Sequence, residues 1–270
     1  MIKIKDFTIG DDNPFVLIAG PCVVENKKIA FETAEELKKI TTELQIPFIY
    51  KSSFKKANRT SISSFTGVGD DEAINILSEI RKEFDVPVLT DFHLPEEIDK
   101  LKDAVDVLQI PAFLCRQTEL LIAAGKSNKI INIKKGQFLA PEDMRYAAEK
   151  VLRTGNNKIL LTERGTTFGY HNLVVDMRSL LIMKKLGYPV IMDATHSVQL
   201  PGAGTQTSGQ PEFIKPLARA AAAVGIDGLF LEVHPEPEKS LSDSASQFPL
   251  KDLKELLIII KEIDSLVKGY

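Results

Sequence analysis

Residues 130–161 read IINIKKGQFLAPEDMRYAAEKVLRTGNNKILL, and they contain one complete unit of the chain's organisation. Positions 130–133 form a short, nearly continuous apolar run, as expected for a parallel strand covered on both faces. Pro141, Glu142 and Asp143 then open a segment of helical periodicity. Proline suits the first helical turn, and acidic side chains complement its positive end. Gly155, following Arg153, closes the helix, and a second apolar run starts at 158. The polar residues Lys134, Lys135, Gly136 and Gln137 gather where the strand ends.

The same unit recurs along the whole chain. Strands are predicted at 15–19, 47–50, 88–90, 105–109, 130–133, 158–161, 190–192 and 229–233. Helices are predicted at 27–44, 70–84, 95–103, 116–125, 141–154, 173–186, 216–224 and 249–267, with Pro216 marking a helix start or a kink. Eight strands alternating with eight helices place the chain in the α/β class as a (β/α)8 TIM barrel. A doubly wound open sheet is the competitor that the count leaves open. Length and the lack of a nucleotide fingerprint favour the barrel. The alternating IKIKDFTI, closed by Gly10-Asp11-Asp12-Asn13, reads as a short N-terminal β-hairpin. We expect a single domain over 1–270, with the hairpin at 1–13 closing the barrel bottom. The irregular stretch PGAGTQTSGQP at 201–211 has the composition of a mobile lid.

With 270 residues, 44% of them hydrophobic, the chain can bury a substantial core, and its formal net charge is −3. That balance argues against nucleic acid or an anionic membrane as a bulk partner. No apolar run approaches the ~20 residues that span a bilayer, and the N-terminus lacks the apolar region of a secretory signal. Two cysteines, Cys22 and Cys115, are too few for a disulfide framework. The expectation is a soluble, cytoplasmic protein.

Barrel enzymes place reactive groups at the C-terminal ends of their strands, and here every strand exit carries some. In a closed barrel the eighth strand neighbours the first, so Cys22, His196 and Glu232 come from three consecutive strands, and Asp243 can fold back over them. Taken singly, a cysteine is usually a small buried hydrophobe and a histidine a satisfied polar residue. Together, a thiolate, an imidazole and two carboxylates suit one borderline divalent ion such as Zn2+, Fe2+ or Mn2+. The second cluster is basic: Lys51, Lys56, Arg59, Lys134 and Arg164. A strand-end cation beside apolar residues pays a desolvation cost unless an anion compensates it. Phosphate and carboxylate groups are the natural compensators. Lys55 and Lys135 are read as solvated loop charges pointing away from the site, Cys115 as structural, and His171 as a surface residue. Gly202-Ala-Gly204 is not a GxGxxG fingerprint and no GK[ST] follows it, and no GxSxG or HExxH motif is present.

The segments KANRT (56–60), IPAFLCRQT (110–118), INIKKGQFLAPEDM (131–144), LTERGTTFGYHNLVVDMRSL (161–180), DATHSVQLPG (193–202) and EVHPEPEKSLSD (232–243) together resemble the 3-deoxy-D-manno-octulosonate 8-phosphate synthase family. The likeness runs through essentially the whole chain in unbroken order. It implies condensation of phosphoenolpyruvate with D-arabinose 5-phosphate, releasing phosphate, for lipopolysaccharide biosynthesis. It also implies the metal-dependent branch, whose members have cysteine at the position of Cys22 where independent members carry asparagine. The family's metal ligands then fall on Cys22, His196, Glu232 and Asp243. Its phosphoenolpyruvate contacts fall on Lys51, Lys56, Gln109, Lys134 and Arg164. Its arabinose 5-phosphate contacts fall on Asn58, Arg59 and Thr60, with Asp91 and His93 nearby. Lys56, His196, Asp243 and Cys22 are the expected catalytic set. A homotetramer is implied, with residues 113–116 meeting a neighbouring subunit. One departure is Lys55, where the family usually has aspartate.

Two rivals are weighed against this reading. A sister enzyme makes 3-deoxy-D-arabino-heptulosonate 7-phosphate from erythrose 4-phosphate. Its sugar-phosphate loop usually reads Pro-Arg-Thr, whereas this chain has Ala57-Asn58-Arg59-Thr60. A catalytically silent sugar-phosphate-binding barrel would have no need of both metal ligands and cations.

Overall fold

In the computed structural model, which describes residues 1–59, 61–168, 171–200 and 208–270, eight parallel strands close on themselves. They are β1 (Val16–Gly20), β2 (Phe48–Lys51), β3 (Val88–Asp91), β4 (Val107–Ile110), β5 (Ile130–Lys134), β6 (Ile159–Glu163), β7 (Val190–Asp193) and β8 (Gly228–His234). Neighbours in sequence are neighbours in space. The ring shuts where β8 pairs with both β7 (Met192 beside Leu229) and β1 (Leu229 beside Leu17). Closure excludes the open-sheet competitor. The helices α1 (Lys27–Leu44), α2 (Asp70–Glu83), α3 (Ile98–Leu101), α4 (Thr118–Lys126), α5 (Met144–Leu152), α6 (Arg178–Lys184), α7 (Ile214–Val224) and α8 (Leu253–Lys268) follow the strands in turn.

Alternation along each strand divides the core in two. Outward residues such as Leu17, Tyr50, Leu108 and Leu231 pack under the helices, while Val16, Ile18, Ile49, Leu89, Val107, Ile130, Leu160, Ile191 and Phe230 fill the lumen. The hairpin, Ile2–Ile4 paired with Phe7–Ile9, contributes Ile2, Ile4 and Ile9 to that same luminal cluster. Gly228 makes room at the seam, because a Cβ there would lie 2.8 Å from Val16 Cγ1.

Several boundaries differ from the periodicity. The helix expected at 173–186 begins only at Arg178, since Leu173–Val174 pair antiparallel with Thr166–Thr167. The Asp176 carboxylate accepts the Arg178 N–H at 3.0 Å and sets the helix start. The helices expected at 95–103, 141–154 and 249–267 each begin with a 3-10 turn, at Pro95–Glu97, Pro141–Asp143 and Leu250–Asp252. Pro216 falls in the first turn of α7 and so marks a helix start, where its missing N–H costs nothing. Of the expected lid, residues 201–207 lie outside the described residues; Ser208–Gly209 pair with Gln199–Leu200, and Pro211–Phe213 form a 3-10 turn into α7. No helix among the described residues is long and apolar enough to cross a membrane.

Candidate active site

The inward-facing positions change character along every strand. Ile49 is followed two residues on by Lys51, Leu89 by Asp91, Val107 by Gln109, and Ile191 by Asp193. Ile130 leads to Asn132 and Lys134, Leu160 to Thr162 and Arg164, and Phe230 to Glu232. The period of two therefore stacks a polar layer on an apolar one. Phe230 lies at the boundary, with the Lys134 ammonium 4.2 Å and the Lys51 ammonium 5.5 Å from its ring centre.

Above that layer opens a cavity of about 510 Å3. Its walls include Lys51, Lys56, Asn58, Arg59, Asp91, His93, Gln109, Lys134, Arg164, His196, Glu232 and Asp243, so twelve of the fourteen residues picked from sequence line one space. Cys22 is buried behind it, beside Glu232 and Asp243. Thr60 lies outside the described residues.

The cationic wall carries the excess charge: five basic side chains face three carboxylates. Burial pulls the Arg164 guanidinium below its usual range, and its Nη1 is buried with no hydrogen-bond partner among the described residues. Nη2 donates to Gln199 Oε1 at 2.7 Å. Lys134 pairs with Asp193, yet burial, reinforced by nearby Lys51, still lowers its pKa. A desolvated cation of this kind is stabilised by an incoming anion. Lys51 pairs with Glu232 and donates to the Cys22 carbonyl at 3.0 Å. Lys56 lies 3.8 Å from Glu232. Burial opposes the Lys56 charge, but Cys22, Glu232 and Asp91 together raise its pKa above the ordinary lysine value. Gln109 Oε1 accepts from Asn132 at 3.0 Å, and Asn132 accepts from Thr162 at 2.6 Å. Arg59 reaches the opposite side, donating to Ser242 and to the Phe65 carbonyl, with Nη1 3.4 Å from Asp243 Oδ1.

The ligating groups of Cys22, Glu232 and Asp243 lie within 4.8 Å of one another. Gly20 brings the first of them in, because β1 leaves so close to β2 that any Cβ would overlap the Lys51 carbonyl. The Cys22 Sγ is 3.0 Å from the Ser242 hydroxyl. Gln247 accepts from the Cys22 N–H at 3.3 Å and donates to the Ser242 carbonyl at 2.8 Å, tying both segments together. Asp243 holds a left-handed backbone, φ 47°, sparsely populated for a residue with a Cβ. Burial, with Glu232 beside it, pushes the Cys22 thiol far up. Burial would raise Glu232 too, but Lys51, His196 and Lys56 hold it well below the usual carboxylate range. His196 stands apart from the group of three: its Nε2 is 3.6 Å from Glu232 Oε1, and its Nδ1 is 2.7 Å from Asp193 and 3.3 Å from the Lys134 ammonium.

Two sequence expectations are corrected. Lys135 points away from the cavity but is fully buried rather than solvated, 3.4 Å from Glu163 Oε1 and donating to Thr166 Oγ1 at 2.9 Å. Glu163 also accepts the N–H groups of Arg164 and Gly165, so the pair fixes the turn that aims Arg164 inward. Lys55 is held by Glu97 at 2.6 Å and Asp70 at 3.1 Å. Cys115 is buried, and His171 is exposed. Sequence reasoning missed Asp193, Ser242 and Gln247 as partners of the site. The inward spacing of two could have given Asp193; Ser242 and Gln247 belong to a loop with no periodicity.

The model of the DAHP synthetase I family matches residues 1–269. The chain belongs to this family. Within it, proteins named 2-dehydro-3-deoxyphosphooctonate aldolase from Dichelobacter nodosus and Aromatoleum aromaticum are each 55% identical to the chain. The first match covers 99% of this chain and 97% of the relative, the second 100% and 98%. The namesake from Syntrophotalea carbinolica is 52% identical over 99% of this chain and 97% of its own length. These relatives agree with the resemblance read from the motifs and favour it over the heptulosonate rival. This DAHP synthetase I family member is an enzyme, and the cavity at its strand ends is the candidate active site.

Proposed function

We propose that the chain condenses phosphoenolpyruvate with D-arabinose 5-phosphate and water to give 3-deoxy-D-manno-octulosonate 8-phosphate and inorganic phosphate, in the cytoplasm, for lipopolysaccharide biosynthesis. The observation that carries the reading is the pair of desolvated cations, Lys134 and Arg164, facing Arg59 across one cavity: two anionic substrates need two cationic ends.

Arg164 offers Nη1 to the phosphate of phosphoenolpyruvate, and Lys134 adds a point charge beside it. Lys51 and Lys56 balance the carboxylate, and Gln109 holds its own place through Asn132. Asn58, Arg59 and Thr60 receive the sugar phosphate, so that its C1 aldehyde meets C3 of phosphoenolpyruvate. The new bond joins those two carbons, water adds at C2, and the C–O bond to phosphate breaks. Holding both anions in register is a large part of the task, and the cationic wall offsets their repulsion. Asp91 stays ionised beside His93 and Lys56, because these groups outweigh the burial that opposes its charge.

Cys22, His196, Glu232 and Asp243 fit one divalent ion. Three of them already converge, and Glu232 Oε2 is buried with no hydrogen-bond partner among the described residues. When bound, such an ion supplies Lewis-acid orientation of an oxygen and lowers the pKa of water. A homotetramer fits the exposed Phe113, Phe138 and Phe168 on the exits of β4, β5 and β6, an apolar strip that a neighbouring subunit can cover.

Phosphate release from phosphoenolpyruvate with each aldose phosphate tests the reading. Release with arabinose 5-phosphate supports it; release with erythrose 4-phosphate alone, or with neither sugar, overturns it.

A further inference from the structure

Lys55 does not line the cavity, yet a line of charged contacts leads from it to the wall. Its ammonium donates to Asp70 Oδ2 at 3.1 Å and lies 2.6 Å from Glu97 Oε1. Glu97 is buried, and its other oxygen, Oε2, accepts the backbone N–H of His93 at 2.7 Å and that of Leu94 at 3.2 Å. His93 Nε2 stands 3.5 Å from Asp91 Oδ2, and both residues line the cavity. One buried carboxylate therefore spans two loops. Through Oε2 it fixes the exit of β3, and through Oε1 it holds Lys55, which directly precedes the wall residues Lys56, Ala57, Asn58 and Arg59.

The His93 ring, 3.7 Å away, and two backbone N–H groups serve Oε2, so a solvated loop lysine would leave Oε1 buried without a partner among the described residues, which is costly. Burial works against the Lys55 charge, but the hydrogen bonds to Glu97 and Asp70 outweigh it and raise the lysine's pKa. The tie therefore persists throughout the neutral range. Lys134 and Arg164, on β5 and at the exit of β6, receive nothing from it.

We propose that Lys55 is a positioning residue for the aldose-phosphate half of the site, locking the loop of Asn58 and Arg59 to that of Asp91 and His93 through Glu97. The inference rests on the arabinose 5-phosphate reading of the cavity.

Steady-state kinetics on the full chain test it. Lys55→Met and Lys55→Gln should each raise KM for arabinose 5-phosphate about fivefold to tenfold, with kcat within about twofold and a smaller rise in KM for phosphoenolpyruvate, which Lys56 shares with the untied Lys134 and Arg164. Lys55→Arg keeps the charge and should bring the sugar KM back to within about twofold of the parent. In a Glu97→Gln background, Lys55→Met should add less than about twofold, because the coupled pair is already broken. Amide hydrogen exchange gives a readout free of activity: His93 and Leu94 should exchange faster in Lys55→Met. An unchanged sugar KM, an equal rise in both KM values, no rescue by arginine, or unaltered exchange would each overturn the proposal. Should the parent release no phosphate with arabinose 5-phosphate, the functional reading fails, and the exchange experiment alone decides whether Lys55 ties the loops.

Discussion

Cys22 Sγ stands 3.4 Å from Asp243 Oδ2 at the seam where β1 meets β8, although 221 residues separate the two. The thiol is buried, and burial together with the Glu232 carboxylate keeps its proton on. A buried thiol between two carboxylates is poorly placed unless a cation takes the proton's place. Ser242, Gln247 and the left-handed backbone of Asp243 hold this arrangement together.

Metal content follows from that geometry. The purified chain should carry about one divalent ion per subunit, and Cys22→Ala should retain less than about a tenth of it. Elemental analysis after gel filtration without added metal measures this. Full activity in a chelator-treated, metal-free sample would remove the ion from the mechanism.

Arg164 should not tolerate replacement by lysine. Its planar guanidinium has Nη2 on Gln199 and Nη1 without a partner among the described residues, a two-pronged geometry that an ammonium lacks. Arg164→Lys should raise KM for phosphoenolpyruvate at least about tenfold, and Arg164→Ala about a hundredfold or more. Initial rates at saturating sugar phosphate report both, and a lysine variant with the parent's KM would rule out a role for the two-pronged guanidinium.

Asp91 supplies a pH dependence. Burial opposes its charge, but the hydrogen bond and charge of His93, with Lys56 and Lys51, hold its carboxyl well below the usual carboxylate range. A carboxyl depressed on folding adds stability that is fully present above the unfolded pKa and is lost as pH falls toward the folded one. Asp91→Asn should therefore cost about 1–3 kcal/mol at pH 7 and lose less further stability than the parent below about pH 4. Urea unfolding at both pH values tests this, and parallel acid profiles for the two proteins would contradict it.

Two glycines make graded packing predictions. A Cβ on Gly228 meets the side chains of Ile191 and Val16, which can shift, whereas one on Gly20 overlaps the backbone carbonyl of Lys51. Gly228→Ala should cost about 1–3 kcal/mol, and Gly20→Ala more, with the Cys22 segment displaced. Thermal melts rank the two; equal melting temperatures would mean that the β1 exit yields as readily as a side chain does.

The order of elements was legible in the sequence because burial on both faces writes itself as apolar runs. Phe15–Ala19 and 229–233 need no tertiary knowledge to be read as strands. Lys134 and Arg164 were legible as site residues for a related reason: a cation at a strand exit, beside Ile133 or Leu161, stands out against its apolar neighbours. The limits of α6 were not, since Asp176 starts that helix through a local hydrogen bond that no periodicity marks.

Sequence alone determined the alternation, the barrel count and the residue types gathered on one rim. Only the tertiary structure decided which charges pair. Lys55 and Lys135 look like their neighbours Lys56 and Lys134 in the sequence, but the backbone beyond the strand ends turns one of each pair away from the cavity, onto Glu97 and Glu163. Likewise, nothing local to Cys22 announces Ser242, Asp243 and Gln247. They meet it because the eighth strand closes on the first, and closure is a property of the whole ring.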